Sequence, residues 1–248
     1  MPHRITFGQQ KGGTGKTTLT RELGIYLAVT GHHTLLIDTD PQGNLTKGLT
    51  DLQKRGTYEA YTEEAFDLHQ IRDNLYLLHG SEKLAQLERN LIGEVDAYTR
   101  LKSILSGSLF QPFDYILIDT PPTLGVMTLN ALAASDYLAV VINPAVYTLQ
   151  GTNTLMSTYT KIRENLNANL TLLGAFVNQV DPRPLIVREI MDELQKHFNN
   201  YLVTPPLSRS VKIEEAIPRQ AGVVELGKSK VKDEIEAIGK EFIARTQQ

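Results

Sequence analysis

Gln10-Lys11-Gly12-Gly13-Thr14-Gly15-Lys16-Thr17-Thr18 lies between an apolar run, Ile5-Thr6-Phe7, and a stretch in which Leu19, Leu23, Leu27 and Ala28 recur at helical spacing before Gly31. A strand, a glycine-rich turn and a helix N-terminus in that order form a phosphate cradle. Gly12, Gly13 and Gly15 let consecutive backbone N–H groups turn inward on phosphate oxygens, and the helix aims its positive end at the same charge. Lys16 is placed to reach β- and γ-phosphates, and Thr17, with Thr18 beside it, to ligate Mg²⁺. Gln10 stands where the common pattern G-x-x-x-x-G-K-[ST] has glycine, so the strict expression fails while its physics survives. A chance Gly/Lys turn would have to explain three glycines, Lys-Thr-Thr, a strand and a helix arriving together.

Working outward, short apolar runs alternate with helical stretches. Strands are expected at 34–37 ending on Asp38, at 75–78, at 115–118 ending on Asp119, at 137–142 closed by Asn143-Pro144, and at 170–177. Helices are expected at 16–30, at 97–105, through the 150s with Leu155, Tyr159 and Ile162 on one face, and at 187–198. This alternation predicts an α/β fold of P-loop NTPase type, a mainly parallel twisted sheet with helices on both faces. Residues 46–73 are polar and carry no clear period.

The chain has 248 residues, 41% hydrophobic and 21% charged, which is ordinary globular composition. It has no cysteine, which excludes disulfides, thiol catalysis and cysteine-ligated zinc or iron–sulfur centres. A net charge of −3 excludes a globally basic nucleic-acid binder, so any such contact has to be a local patch. No apolar run approaches the roughly 18–20 residues that span a bilayer, and the N-terminus lacks a secretory apolar segment. Nothing reads as a linker or repeat, so one cytoplasmic domain over 1–248 is expected, with no N-terminal helix-turn-helix domain ahead of the phosphate loop.

Lys11-Gly12-Gly13-Thr14-Gly15-Lys16-Thr17 resembles KGGxGK[ST], the deviant Walker A box of the ParA/MinD family of ATPases. The resemblance implies that Lys11 reaches across a dimer interface to the partner's nucleotide. Asp38-Thr39-Asp40-Pro41-Gln42-Gly43-Asn44 resembles the family's Walker A′ motif without departure, which implies that Asp40 positions the attacking water and Asp38 supports the Mg²⁺ and water network. Taken alone, Asp-Pro-Gln-Gly is also good turn chemistry. Phe113 to Pro122 resembles Walker B, with Asp119 holding Mg²⁺ through water while Thr17 coordinates directly. Asn178, after Val177, resembles the asparagine that reads the adenine edge, its amide offering donor and acceptor together; a plain strand-end asparagine is the other reading. Ser208 to Ala216 is similar to a family stretch that begins with proline, so Pro206 is the expected adenine-stacking residue in its place. The resemblance runs from Ile5 to about Phe242.

Within the family, the short ParA form fits best. Val231, Ile235, Ile238 and Phe242 form an apolar stripe whose opposite face mixes Asp233, Glu234, Glu236 and Glu241 with Lys232 and Lys240. Anionic lipid repels such a face, so this helix is expected to pack on the sheet, without stable membrane association. Arg209, Lys212, Arg219, Lys228, Lys230 and Lys232 lie among only three glutamates, a candidate phosphate-binding patch for DNA or, equally, a solvated charged face. The resemblance implies a slow ATPase using ATP and Mg²⁺. It would form a homodimer with ATP, bind DNA nonspecifically on the nucleoid, and position a plasmid, chromosome locus or protein body such as a carboxysome. A ParB-like or other small adaptor would stimulate hydrolysis. A MinD-like membrane-associated ATPase and a metabolic P-loop enzyme are the alternatives.

Overall fold

Strands buried on both faces read as unbroken apolar runs, and the two that flank the phosphate loop's strand are of that kind. The computed structural model describes residues 1–146, 149–181, 183 and 185–247. In chain order the elements are β1 (His3–Gly8), α1 (Lys16–Val29), β2 (Thr34–Asp38), α2 (Asn44–Lys47), α3 (Thr57–Tyr61), β3 (His69–Arg72), β4 (Leu75–Leu78), α4 (Leu84–Leu91), α5 (Arg100–Leu105), β5 (Tyr115–Asp119), α6 (Val126–Ala134), β6 (Tyr137–Ile142), α7 (Leu149–Asn165), β7 (Thr171–Val177), α8 (Leu185–Phe198), β8 (Leu202–Val203), α9 (Val211–Ala216) and α10 (Lys230–Thr246).

One eight-stranded sheet runs β3-β4-β2-β5-β1-β6-β7-β8, parallel throughout except for β3 at one edge. Side chains alternate across it. Leu36 and Leu117 face a core shared with Leu19 and Leu23 of α1 and Ile235 and Phe242 of α10. Leu35, Ile37, Ile116 and Ile118 face the other layer, with Leu101 of α5 and Met127 of α6. Further along that layer, Leu138 and Val140 of β6 pack with Leu155 of α7 and Leu194 of α8. The predicted doubly covered α/β sheet is the fold observed.

The strands expected at 75–78 and 137–142 have those bounds. The region without a clear period holds α3 and the antiparallel edge strand β3, whose residues are only half-buried and so show no apolar run. Helix α10 lies on the sheet as its charge pattern predicts. Phe242 is fully buried, stacked on Phe7 at 6.3 Å and tilted against Phe176 at 6.2 Å between ring centroids. Among the described residues no helix is long and apolar enough to cross a membrane.

Phe242→Ala removes the ring that joins α10 to β1 and β7. Large-to-small changes of this kind cost about 3–5 kcal/mol, so the midpoint of urea unfolding should drop sharply. A midpoint close to wild type would show that α10 is not part of the folded core.

Candidate active site

The carboxyl ends of β1, β2 and β5 meet at one edge of the sheet. Parallel register places Asp38 opposite Asp119, and Asp119 opposite Phe7, the last residue but one of β1. The open end of such a sheet is where ligands bind. The segment after β1 turns through the glycine loop and starts α1 at Lys16, so Lys16 and Thr17 arrive beside Asp119.

Thr17 Oγ1 donates to Asp119 Oδ2 at 2.7 Å. The other oxygen, Oδ1, is buried and has no partner among the described residues. An orphaned carboxylate oxygen next to a hydroxyl–carboxylate pair is the donor set a hydrated Mg²⁺ uses, so Thr17 and Asp119 fit that ion. Asp38 fits it less directly. Its Oδ2 accepts from the N–H and Oγ1 of Thr46 at 2.9 and 2.8 Å, and its Oδ1 from the N–H of Asp40 at 3.1 Å. Three of its acceptor sites are therefore spent on the scaffold, which leaves about one lone pair for the Mg²⁺ and water network expected of it.

Charges in this cleft compete without water to screen them. Burial pushes the Asp38 carboxyl up to about 6, against the pull of the Thr46 and Asp40 hydrogen bonds. Burial, and then the Asp38 charge, push Asp119 up to about 8, while Thr17 and Lys16 pull it back. Burial lowers the Lys16 ammonium, and the Asp119 and Asp40 carboxylates push it back up. Asp40 is 7% exposed and caps its own turn by accepting from the Gln42 N–H at 2.9 Å. Among the described residues its second oxygen accepts no hydrogen bond.

The loop's shape is imposed from β6 and β7. Gly15 has φ +88, and a Cβ there would collide with Nδ2 of Asn178. That amide donates to the carbonyls of Thr14 and Gly15 at 3.2 and 3.3 Å, and its Oδ1 accepts from the Gln179 N–H at 2.8 Å. Asn178 is fully buried, so the expected donor–acceptor pair for adenine is already committed, leaving one lone pair that suits only the N6 amino group. Thr14 is buried, Thr18 half-buried, and Lys11, Gly12 and Gly13 are exposed at the loop tip. Pro206 is half-buried, following the cis Thr204–Pro205 bond. Ser208, standing where the family has proline, donates its N–H and hydroxyl to Glu234 of α10 at 2.8 and 2.7 Å.

The six cations of the basic patch are not equivalent. Arg209, Arg219 and Lys228 are exposed and form no ion pair among the described residues. Lys212 pairs with Glu215 at 3.0 Å and Lys230 with Glu234 at 3.2 Å. Lys232 donates to the carbonyls of Val224 and Leu226 at 2.7 and 3.4 Å, so it braces a loop where solvent-facing charge was expected.

The sequence reading missed Thr46, Gly80, Asn143 and Gln179. Thr46 clamps Asp38, and Gly80 lets the chain pass so close that a Cβ would lie 2.6 Å from the Asp38 carboxyl carbon. Thr46 opens the stretch without a period, and Gly80 lies in a stretch, 74–81, that resembles the family but carries no chemical signature of its own. Asn143 and Gln179 stand at strand ends, where a polar residue reads as ordinary turn chemistry.

A family model described as an AAA domain matches residues 3–172. The sporulation initiation inhibitor protein Soj of Bacillus subtilis is 34% identical over 220 residues, 86% of each chain. The chromosome-partitioning ATPase Soj of Thermus thermophilus is 36% identical over 215 residues, 86% of this chain and 84% of that one. Among solved structures, a cobyrinic acid a,c-diamide synthase from Mycobacterium smegmatis with bound ATP analogue and magnesium superposes with TM-score 0.86 at 26% identity, covering 100% of this chain and 97% of that one. Apo McdA from Cyanothece superposes with TM-score 0.87 at 19% identity over 97% and 99%, a likeness of fold.

The raised Asp119 carboxyl sets a pH dependence. Between about pH 4 and 8 the native state holds a proton that the unfolded chain has lost, so stability falls as pH rises through that window. Asp119→Asn removes the slope. In nucleotide-free protein with chelator, its melting temperature relative to wild type should rise from pH 5 to 8 and level off above that, each kcal/mol being worth about 2–4 °C at this size. A difference independent of pH would contradict the raised carboxyl.

Proposed function

The chain belongs to the ParA/MinD family of deviant Walker A ATPases, in its short, Soj-like form, and on that premise we propose that it binds ATP with Mg²⁺, dimerises around the nucleotide, holds DNA without regard to sequence, and lets go after a slow hydrolysis that a small ParB-like adaptor accelerates. The cargo so positioned is a plasmid, a chromosome locus or a protein body such as a carboxysome. One observation carries the reading: Lys16, Thr17, Asp40 and Asp119 share one buried cleft at the loop, while Lys11 is left exposed at its tip.

Phosphoryl transfer depends mostly on positioning and on stabilising charge at the equatorial and leaving oxygens. Lys16, drained of solvent by burial, supplies a fixed cation at the β- and γ-phosphates. The inward N–H groups of the loop add partial positive charge. Bound Mg²⁺ would neutralise phosphate charge beside Thr17 and Asp119. Asp40 orients the attacking water from β2's side, and Asp38, fixed by Thr46, holds the Asp40 backbone in place. Lys11 completes the charge balance in the opposite protomer, which explains a cation that makes no ion pair within its own chain among the described residues.

The membrane reading loses its main support because the apolar stripe of α10 is buried on the sheet. A metabolic ligase reading has one observation on its side, the superposition on the diamide synthase. ATP hydrolysis that runs without a small co-substrate and rises with a protein partner separates the two.

Asp40→Ala should still bind ATP while hydrolysing it at least about tenfold more slowly, the scale expected for loss of a group that orients the nucleophile. Turnover at the wild-type rate would remove Asp40 from the water's side of the reaction.

DNA affinity should depend on ATP and fall steeply with salt. Replacing Arg219 and Lys228 together by glutamate should weaken binding to two unrelated duplexes by the same factor and flatten the salt slope by about 0.9 for each phosphate no longer neutralised. Preference for one duplex, or equal binding with ADP, would overturn the switch.

A further inference from the structure

We propose that Asn143 is a positioning residue that fixes the phosphate loop in its phosphate-binding shape, with Gln179 holding Asn143 in place. The proposal rests on the nucleotide-binding reading of the loop and adds a residue that no motif in the sequence marks.

Asn143 follows the last residue of β6 and is 6% exposed. Its Nδ2 donates to the Gly13 carbonyl at 3.2 Å and to Gln179 Oε1 at 2.8 Å, and its Oδ1 accepts from the Ala145 N–H at 2.9 Å. Two acceptors on one side and a donor on the other leave the amide a single orientation, because the flipped form would set oxygen against oxygen. Gln179 has φ +58, a left-handed backbone uncommon outside glycine, which turns its side chain back toward Asn143.

The neighbouring strand supplies the rest. Ile142 is in register with Val177, so Asn143 and Asn178 leave adjacent strand ends together. Asn143 takes the carbonyl of Gly13, and Asn178 takes those of Thr14 and Gly15. Three consecutive peptide carbonyls thus point at strand-end amides. The described peptide bonds of the loop are trans, and a trans peptide sends its N–H opposite to its C=O. The N–H groups of Thr14, Gly15 and Lys16 therefore face the other way, into the cradle. Gly13 and Gly15, at φ +75 and +88, have the freedom to flip these peptides. A flipped Gly13–Thr14 unit would present a carbonyl oxygen to a phosphate. Asn143 prevents that flip, so the ordering cost is not charged to nucleotide binding.

Inorganic tripolyphosphate probes the cradle without the base. Its equilibrium affinity, and that of ADP, should fall about tenfold in Asn143→Ala, the scale of one lost buried hydrogen bond to a loop that must then be ordered by the ligand. Asn143→Leu keeps the volume and loses the donor. It should melt closer to wild type than Asn143→Ala yet bind tripolyphosphate no better, each protein being measured well below its own melting midpoint. Affinity that returns with stability in the leucine variant, or affinity within twofold of wild type in both, would overturn the clamp. Lys16→Ala separates the failures. If it loses tripolyphosphate while the Asn143 variants keep it, the clamp alone is wrong. If it too keeps full affinity, the phosphate-loop reading is wrong and the clamp goes with it.

Discussion

Asp38 and Asp119 stand opposite each other on β2 and β5, both fully buried, and the Asp38 charge makes the Asp119 charge harder to hold. Like charges in a dry site are unfavourable, and folding has to fix them there against that cost. Much of the surrounding structure answers this constraint. Thr46 clamps one Asp38 oxygen twice, Thr57 Oγ1 takes the Asp38 carbonyl at 2.9 Å, and Gly80 has no side chain to keep the chain away. On the other strand, Thr39 donates hydroxyl and N–H to the Asp119 carbonyl at 2.6 and 3.1 Å. Short helices α2 and α3 bury Leu45 and Tyr61 in the core and also carry the groups that hold a carboxylate still, Thr46 and Thr57.

Such a site is relieved by positive charge, which makes it responsive to ligand. Lys16 offsets part of the imbalance from inside. The orphaned Asp119 oxygen marks where a cation offsets more. The two loop lysines differ in burial: Lys16 is 6% exposed, whereas Lys11 is exposed, as the proposed reach to a second chain requires. The loop between them is shaped by amides from β6 and β7, and β7 in turn leads to the Ser208–Glu234–Lys230 contact on α10. Nucleotide site and basic surface are thus joined through a few hydrogen bonds across the sheet's end.

The phosphate loop, both acidic strand ends and the buried C-terminal helix were legible because each couples a strong local pattern to a chemical need. Glycines before Lys-Thr and acids ending apolar strands seldom arise together for any other reason. The edge strand β3 was not legible, since half-burial leaves no apolar run, and neither was α3, five residues long. Lys232 reads like its neighbours in sequence, and only the carbonyls of Val224 and Leu226 distinguish it. Asn143 and Thr46 carry no motif because partners such as the Gly13 carbonyl and the Gly80 N–H lie far along the chain, which sequence spacing does not reveal. Asn178 was found by resemblance, yet its hydrogen bonds to the loop could only come from the fold.

Sedimentation velocity on wild type and Lys11→Ala, each saturated with a slowly hydrolysed ATP analogue and Mg²⁺, tests the central claim that the buried site of one chain is completed by the exposed lysine of another. The expected result is a wild-type dimer that reverts to monomer in ADP, and a Lys11→Ala protein that binds the analogue but stays monomeric. A Lys11→Ala dimer as stable as wild type, or a wild type whose association ignores the nucleotide, would contradict it.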